Sequence, residues 1–133
     1  MITVLLVEDS PTMRSFLATT LETVEGVVVR EAASGFDALR LLPREKIDLI
    51  ATDINMPDIN GLELISYLRS TPRYASIPLF IISTEGSEQD RERGLALGAD
   101  EYLVKPFPPE QFLKLVLDYT GGRPDGPNAA SHT

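Results

Sequence analysis

Six residues could do chemistry together, and each stands just after an apolar run. Glu8 and Asp9 follow "ITVLLV", Asp53 follows "IDLIAT", Ser83 and Thr84 follow "IPLFII", and Lys105 follows "EYLV". Carboxylates held close raise one another's pKa and lose stability by repulsion. A divalent, oxygen-seeking cation relieves this, and Mg²⁺ (or Mn²⁺) suits a few carboxylates completed by water and a substrate phosphate. Lys105 can hold an anionic oxygen, and the Ser83 hydroxyl can donate to another. Such a set supports phosphoryl transfer, where catalysis is mostly positioning and charge neutralisation. Asp53 is central and is the candidate nucleophile, giving an aspartyl phosphate.

Each residue also has a plainer reading. Glu8 and Asp9 could be an acidic pair favoured by a helix dipole. Lys105 could be a solvated lysine, and Ser83 and Thr84 could start a turn. The chemistry requires that elements distant in sequence bring these residues to one place.

The chain supplies such elements. Apolar, β-branched runs at 2–7, 27–33, 47–52, 77–82 and 101–104 read as strands. Several lack alternation, as expected for a parallel sheet covered on both faces. Amphipathic stretches fall between them. Ser10-Pro11 starts a helix to about Val24, and "GFDALRLL" gives a second ending near Pro43. "GLELISYLRS" gives a third, closed by Thr71-Pro72. "SEQDRERGLAL" is a fourth, with Ser87 as cap and Gly98 as terminator, and "PEQFLKLVLDY" is the fifth. Five consecutive βα units imply an open α/β sheet with right-handed crossovers. In such sheets the site lies at the carboxyl ends of the strands. Met56-Pro57 and Gly61 read as structural, shaping the loop after Asp53 and admitting the third helix.

Composition narrows the classes. The 133 residues, 43% hydrophobic, suit one domain with its own core. With no Cys, thiolate nucleophiles, disulfides and Cys-based metal centres are excluded. A formal charge of -8 argues against nucleic acid as a direct ligand and suits a cation or a basic partner. "MITVLLV" is too short for a membrane span, and a cytoplasmic protein is expected. Residues 1–119 read as the domain. The stretch from 120 to 133, rich in Gly, Pro, Ser and Asn, reads as a disordered tail or linker stump too polar to form an effector domain.

Four segments carry a family resemblance: "LLVEDS", "DINMPDINGLEL", "IISTEG" and "GADEYLVKPF". Together, in this order and spacing, they resemble the response-regulator receiver domain of two-component signalling, near the single-domain chemotaxis type. The resemblance spans residues 2 to about 119. It implies a flavodoxin-like (βα)5 fold, strand order 2-1-3-4-5, with helices on both faces. It implies phosphorylation of Asp53, with Glu8 and Asp9 as the acidic pair and Asp9 the more direct Mg²⁺ ligand. Asn55 would give the metal its backbone carbonyl, and Lys105 would bind the phosphate, with Lys105-Pro106 cis. Ser83 matches the switch hydroxyl and Tyr102 the aromatic switch, although a lone strand Tyr is usually a packing residue. Asn55 and Glu85 match positions that tune phosphoryl lifetime, with residue types seen in short-lived chemotaxis regulators. The departures are Glu8 for Asp, Ser83 for Thr, and Thr84 where a smaller residue is usual and would leave the path to phosphorus clearer.

The implied partners are a sensor histidine kinase or His-phosphotransfer protein as donor, and a protein target at the face of helix 4, strand 5 and helix 5. The one His, His132, lies in the tail, so the phosphoryl donor is external. Nucleic acid and membrane are not expected ligands of this chain, and neither is turnover of an external substrate. Three alternatives share parts of the pattern. A haloacid-dehalogenase-type phosphatase would need a second acid where Asn55 stands. A receiver-like module that has lost phosphorylation would not need the acid, hydroxyl and lysine set. In a flavodoxin-like electron carrier, Glu8 and Asp9 would repel the cofactor phosphate. No Walker motif occurs.

Overall fold

The computed structural model describes residues 1–84 and 88–121. Strands and helices alternate: β1 (Ile2–Val7), α1 (Pro11–Glu22), β2 (Val27–Ala32), α2 (Gly35–Leu41), β3 (Leu49–Asp53), α3 (Gly61–Ser70), β4 (Leu79–Ser83), α4 (Glu88–Leu97), β5 (Glu101–Val104) and α5 (Pro109–Tyr119). A 3₁₀ turn, Leu42–Arg44, follows α2. The sheet order is β2-β1-β3-β4-β5 with every neighbouring pair parallel, the order expected from the resemblance.

The unbroken apolar runs have the reason inferred for them. Alternate strand residues point to opposite faces, and both faces are covered. Val4, Leu6, Leu49, Ala51, Phe80 and Ile82 pack under α1 and α5, where Leu17, Leu21, Phe112 and Val116 are buried. Leu5, Val7, Ile50, Leu79, Ile81 and Tyr102 pack on the other side with Ala38 of α2 and Leu64, Ile65 and Leu68 of α3. Every residue of β3 and β4 is buried.

Strand boundaries differ from the sequence reading at β2, which ends at Ala32 rather than at residue 33, and at β3 and β4. β3 and β4 begin two residues later and end one residue later, so Asp53 and Ser83 are the last strand residues rather than the first loop residues. Asp48 donates its N–H to the Thr3 carbonyl at 2.8 Å, but the Thr3 N–H goes to the Asp48 carboxylate, also at 2.8 Å, so regular pairing starts at Leu49. Pro78 has no N–H to give, although its carbonyl accepts from Ile50 at 2.9 Å. At the other end, ladder pairing reaches Asp53, opposite Ile82, and Ser83, opposite Val104. Pro43 likewise converts the end of the second helix into the 3₁₀ turn.

Helix ends follow local chemistry. The Ser10 hydroxyl caps α1 by accepting from Met13 N at 3.3 Å. Asn60 and Glu63 form a reciprocal capping box at α3. Gly98 takes φ +118° after α4, as a terminator should. Ser87, the expected α4 cap, and residues 122–133, including His132, lie outside the described residues.

Residues 54–60 connect β3 to α3 and are closed by the Gly61 N–H donating to the Ile54 carbonyl at 2.8 Å. Gly61 is there for space. A Cβ at this position would lie 2.3 Å from the Asp53 carbonyl oxygen and 2.9 Å from Ile54 Cα, both backbone atoms. The glycine lets α3 start directly against the end of β3. The same loop is tied sideways by Asp58, whose carboxylate accepts the N–H groups of Gly35 (3.1 Å) and Phe36 (2.9 Å) at the start of α2.

Gly61→Ala should lower the unfolding free energy by about 1–3 kcal/mol, the usual range for overpacking, read as a lower urea midpoint by circular dichroism. Asp58 sets an acid limit. Desolvation works upward on its pKa, but hydrogen bonds from Phe36, Ile59, Gly35 and Ser34 outweigh it and hold the carboxyl at about 2 rather than 3.8. A depressed acid contributes stability above its unfolded pKa and loses it as pH falls through the folded one. The gap in urea midpoint between the wild type and Asp58→Asn should therefore be constant above about pH 5 and close between about pH 4 and about pH 2.

Candidate functional site

Parallel register brings the sequence-predicted residues together. Val7 pairs with Thr52, Asp53 with Ile82, and Ser83 with Val104, so four strands end side by side. Glu8 leaves β1 with its N–H bonded to the Ala32 carbonyl at 3.0 Å, and Lys105 leaves β5 with its N–H bonded to the Ser83 carbonyl at 2.7 Å. These backbone bonds extend the ladder by one residue. They aim both side chains before any side-chain contact is made.

Lys105 reaches across to both acids. Its Nζ donates to Glu8 Oε1 at 2.5 Å and to Asp53 Oδ2 at 3.2 Å. All three are withdrawn from solvent, with side-chain exposures of 8% for Lys105, 1% for Glu8 and 10% for Asp53. The second oxygens are also committed. Glu8 Oε2 accepts Ser10 N–H at 3.1 Å, and Asp53 Oδ1 accepts Asn55 N–H at 3.3 Å. Asp9 is exposed, and one oxygen from each of Glu8, Asp9 and Asp53 lies within 4.8 Å of the others.

The electrostatics follow from burial and count. Burial pushes the Glu8 carboxyl up, aided by the nearby Asp53 charge, and the Lys105 and Ser10 hydrogen bonds only partly offset it. Burial works downward on Lys105, but the Glu8 hydrogen bond and the charges of Asp53 and Glu8 outweigh it, so its pKa is raised. One ammonium is thus paired with two of the three carboxylates and stays protonated beside them. The donor set, all oxygen with excess negative charge, fits a hard divalent cation.

The remaining expected residues fall around this centre. Ser83 is fully buried at the end of β4. Asn55 is exposed, two residues beyond Asp53, and Thr84 is exposed beside Ser83. Tyr102 is 7% exposed and packs in the core with Ile81 and Ala99, on the same strand β5 that delivers Lys105. Lys105-Pro106 is a cis peptide, as the resemblance implied. Glu85 lies outside the described residues.

Two contributors were not read from the sequence. Arg14 donates from Nη1 to the Glu8 carbonyl at 2.7 Å and from Nε to Glu31 at 3.2 Å, fixing the β1–α1 turn against β2. Its signal was a cation one turn into α1, which reads equally well as surface. Asp58 had no signal of its own, because its partners stand 22 and 23 residues earlier.

A family model described as the response regulator receiver domain matches residues 4–117. A chemotaxis protein CheY homolog of Campylobacter jejuni is 39% identical over 127 residues, covering 95% of this chain and 97% of that protein. The gliding motility regulatory protein of Myxococcus xanthus is 43% identical over 102 residues, which is 13% of its own length. Among solved structures, chemotaxis protein CheY4 of Vibrio cholerae aligns with TM-score 0.81 and 37% identity over 87% of this chain and 96% of that one.

Proposed function

We propose that this chain, which belongs to the response regulator receiver family, is a phospho-accepting switch whose acceptor is Asp53. The observation that carries this reading is the Lys105 ammonium bonded at once to Glu8 and Asp53 where the strands end. A buried cation spanning two acids, with a third acid open to solvent, is costly as mere structure and well suited to receiving a phosphoryl group.

The donor is a sensor histidine kinase or a His-phosphotransfer protein. A carboxylate oxygen of Asp53 attacks phosphorus in line. The new O–P bond forms as the N–P bond of the phosphohistidine breaks, and the departing ring nitrogen takes the electron pair. The fixed strand end holds Asp53 for this attack, and Lys105, 3.2 Å from Oδ2, is placed to pair with a phosphoryl oxygen. Glu8, Asp9, Asp53 and the Asn55 backbone carbonyl would hold Mg²⁺ (or Mn²⁺), which when bound neutralises charge on the phosphoryl oxygens. Ser83, buried on the neighbouring strand, donates to the phosphoryl group and Tyr102 follows it inward. Asn55 and Glu85 set the lifetime before water removes the phosphoryl group. No external substrate is turned over.

Output passes to a protein partner through α4, β5 and α5. Leu95 and Leu97 (37% and 39% exposed), Val104 (41%) and Tyr119 (37%) supply apolar contact on these elements. With the charge of -8 on the chain, a partner is favoured over nucleic acid.

Incubation with Mg²⁺ and acetyl phosphate should add one phosphoryl group by intact mass, about 80 Da on aspartyl-phosphate chemistry. The gain should vanish in Asp53→Asn and without Mg²⁺. If no gain occurs and beryllofluoride leaves the NMR spectrum unchanged, the chain is a phosphorylation-independent module. Mg²⁺ at ten times its Kd should also stabilise the wild type by about 1.4 kcal/mol, since it binds only the folded site. In Asp9→Asn that Mg²⁺ effect should shrink towards zero in urea titrations, while the metal-free variant is no less stable than the metal-free wild type because a like charge is gone.

A further inference from the structure

Residues 54–60 leave β3 carrying Asn55 and return at Gly61. Among the described residues, their hydrogen bonds near the two ends are local. Gly61 N–H meets the Ile54 carbonyl, Asn55 N–H meets Asp53 Oδ1, and Asn60 pairs with Glu63 in the α3 cap. The middle of the loop is tied to another element by one residue. Asp58 Oδ1 accepts Gly35 N–H at 3.1 Å, Asp58 Oδ2 accepts Phe36 N–H at 2.9 Å, and Oδ1 also accepts its own neighbour Ile59 N–H at 2.7 Å. Beneath this grip the two segments touch. A Cβ on Gly35 would lie 3.0 Å from Ile59 Cβ, so the glycine lets the loop sit flush on α2.

We propose that Asp58 is a positioning residue for the cation site: by clamping the β3–α3 loop to the first turn of α2, it fixes the direction of the Asn55 backbone carbonyl three residues earlier. The inference rests on the metal reading given under Proposed function. A carboxylate side chain can be a ligand from many rotamers, but a backbone carbonyl can be aimed only by the chain on either side of it. Asp53 fixes the near side by ending a strand. On the far side Pro57 limits one torsion, and Asp58 ties the backbone down. Groups that orient a ligand typically change metal affinity 10–100-fold when lost.

The test is the affinity for Mn²⁺, from the electron paramagnetic resonance signal of free ion, in the wild type, Asp58→Asn, Asp58→Ala and Val116→Ala. Asp58→Asn and Asp58→Ala lose the same charge, but only the former keeps an oxygen to accept from α2. Val116→Ala removes buried contacts in α5, far from the loop, and reports what lost stability alone does. Each variant is measured where circular dichroism shows it folded. Asp58→Ala should bind Mn²⁺ about tenfold more weakly, with Asp58→Asn within about threefold of wild type and Val116→Ala unchanged. Equal losses in Asp58→Asn and Asp58→Ala would reduce the effect to charge and overturn the proposal, as would an unchanged Asp58→Ala or a matching loss in Val116→Ala. A wild type that binds no Mn²⁺ would instead overturn the metal reading itself, and this inference with it.

Discussion

The ion cluster at the strand ends depends on one constraint: Lys105 must stay charged with 8% of its side chain exposed. An ammonium taken out of water is stable only if paired and hydrogen-bonded. Glu8 and Asp53 supply that pairing, and they can do so because β1 and β3 are neighbours and β5 is one strand beyond β4. A different strand order would separate the three residues whatever their types. The pairing is also incomplete in a useful way. One Lys105 ammonium is bonded to two of three clustered acids, so the acids remain under-neutralised. A site balanced in itself would have little reason to take up a cation.

The three acids divide the work by burial. Glu8, 1% exposed, is spent on Lys105 and the β1–α1 turn. Asp9 is exposed and keeps its freedom. Asp53 lies between these extremes, with one oxygen on Lys105 and the other on Asn55 N–H. Such a gradient lets one cluster combine a rigid base with an open coordination side.

The site was legible because its residues terminate apolar runs. In a parallel sheet covered on both faces, a charged residue at the end of such a run has few places to go except the carboxyl edge. The order of strands came from the resemblance, since alternation alone leaves several windings open. Strand starts were misjudged at Asp48 and Pro78 because their exclusion from the ladder depends on a side-chain acceptor and a missing donor, not on hydropathy. Asp58 and Arg14 were invisible for a related reason. The bonds that tie the loops run to backbone groups, the Gly35 and Phe36 N–H for Asp58 and the Glu8 carbonyl for Arg14, which no residue type announces. Arg69 is the same case, donating to the carbonyls of Gly98, Ala75 and Ile77 and so holding the loops around β4 together.

Helices 4 and 5 cover the same end of the sheet with unequal grip, which bears on how a phosphoryl group at Asp53 could be read on the surface. α5 buries Phe112 and Val116, and the Tyr119 ring meets Phe80 edge-on at 5.0 Å. Its hydroxyl donates to Glu101 at 2.6 Å, and this bond pushes its pKa up to about 12. α4 buries only Gly94, and the rest of its ten residues are mostly charged or exposed. A Cβ on Gly94 would stand 2.4 Å from Ile81 Cδ1 and 3.7 Å from Tyr102 Cδ2, so α4 meets the sheet just where Ile81 and Tyr102 lie. Elements with few buried contacts shift at little free-energy cost. On the proposed switch, a change at Ser83 needs to pass only to Tyr102, on the adjoining strand, to reach the helix least able to resist it. On that proposal the weak apolar stripe of α4 would make the face formed with β5 and α5 responsive, and the better-anchored α5 would be its fixed edge.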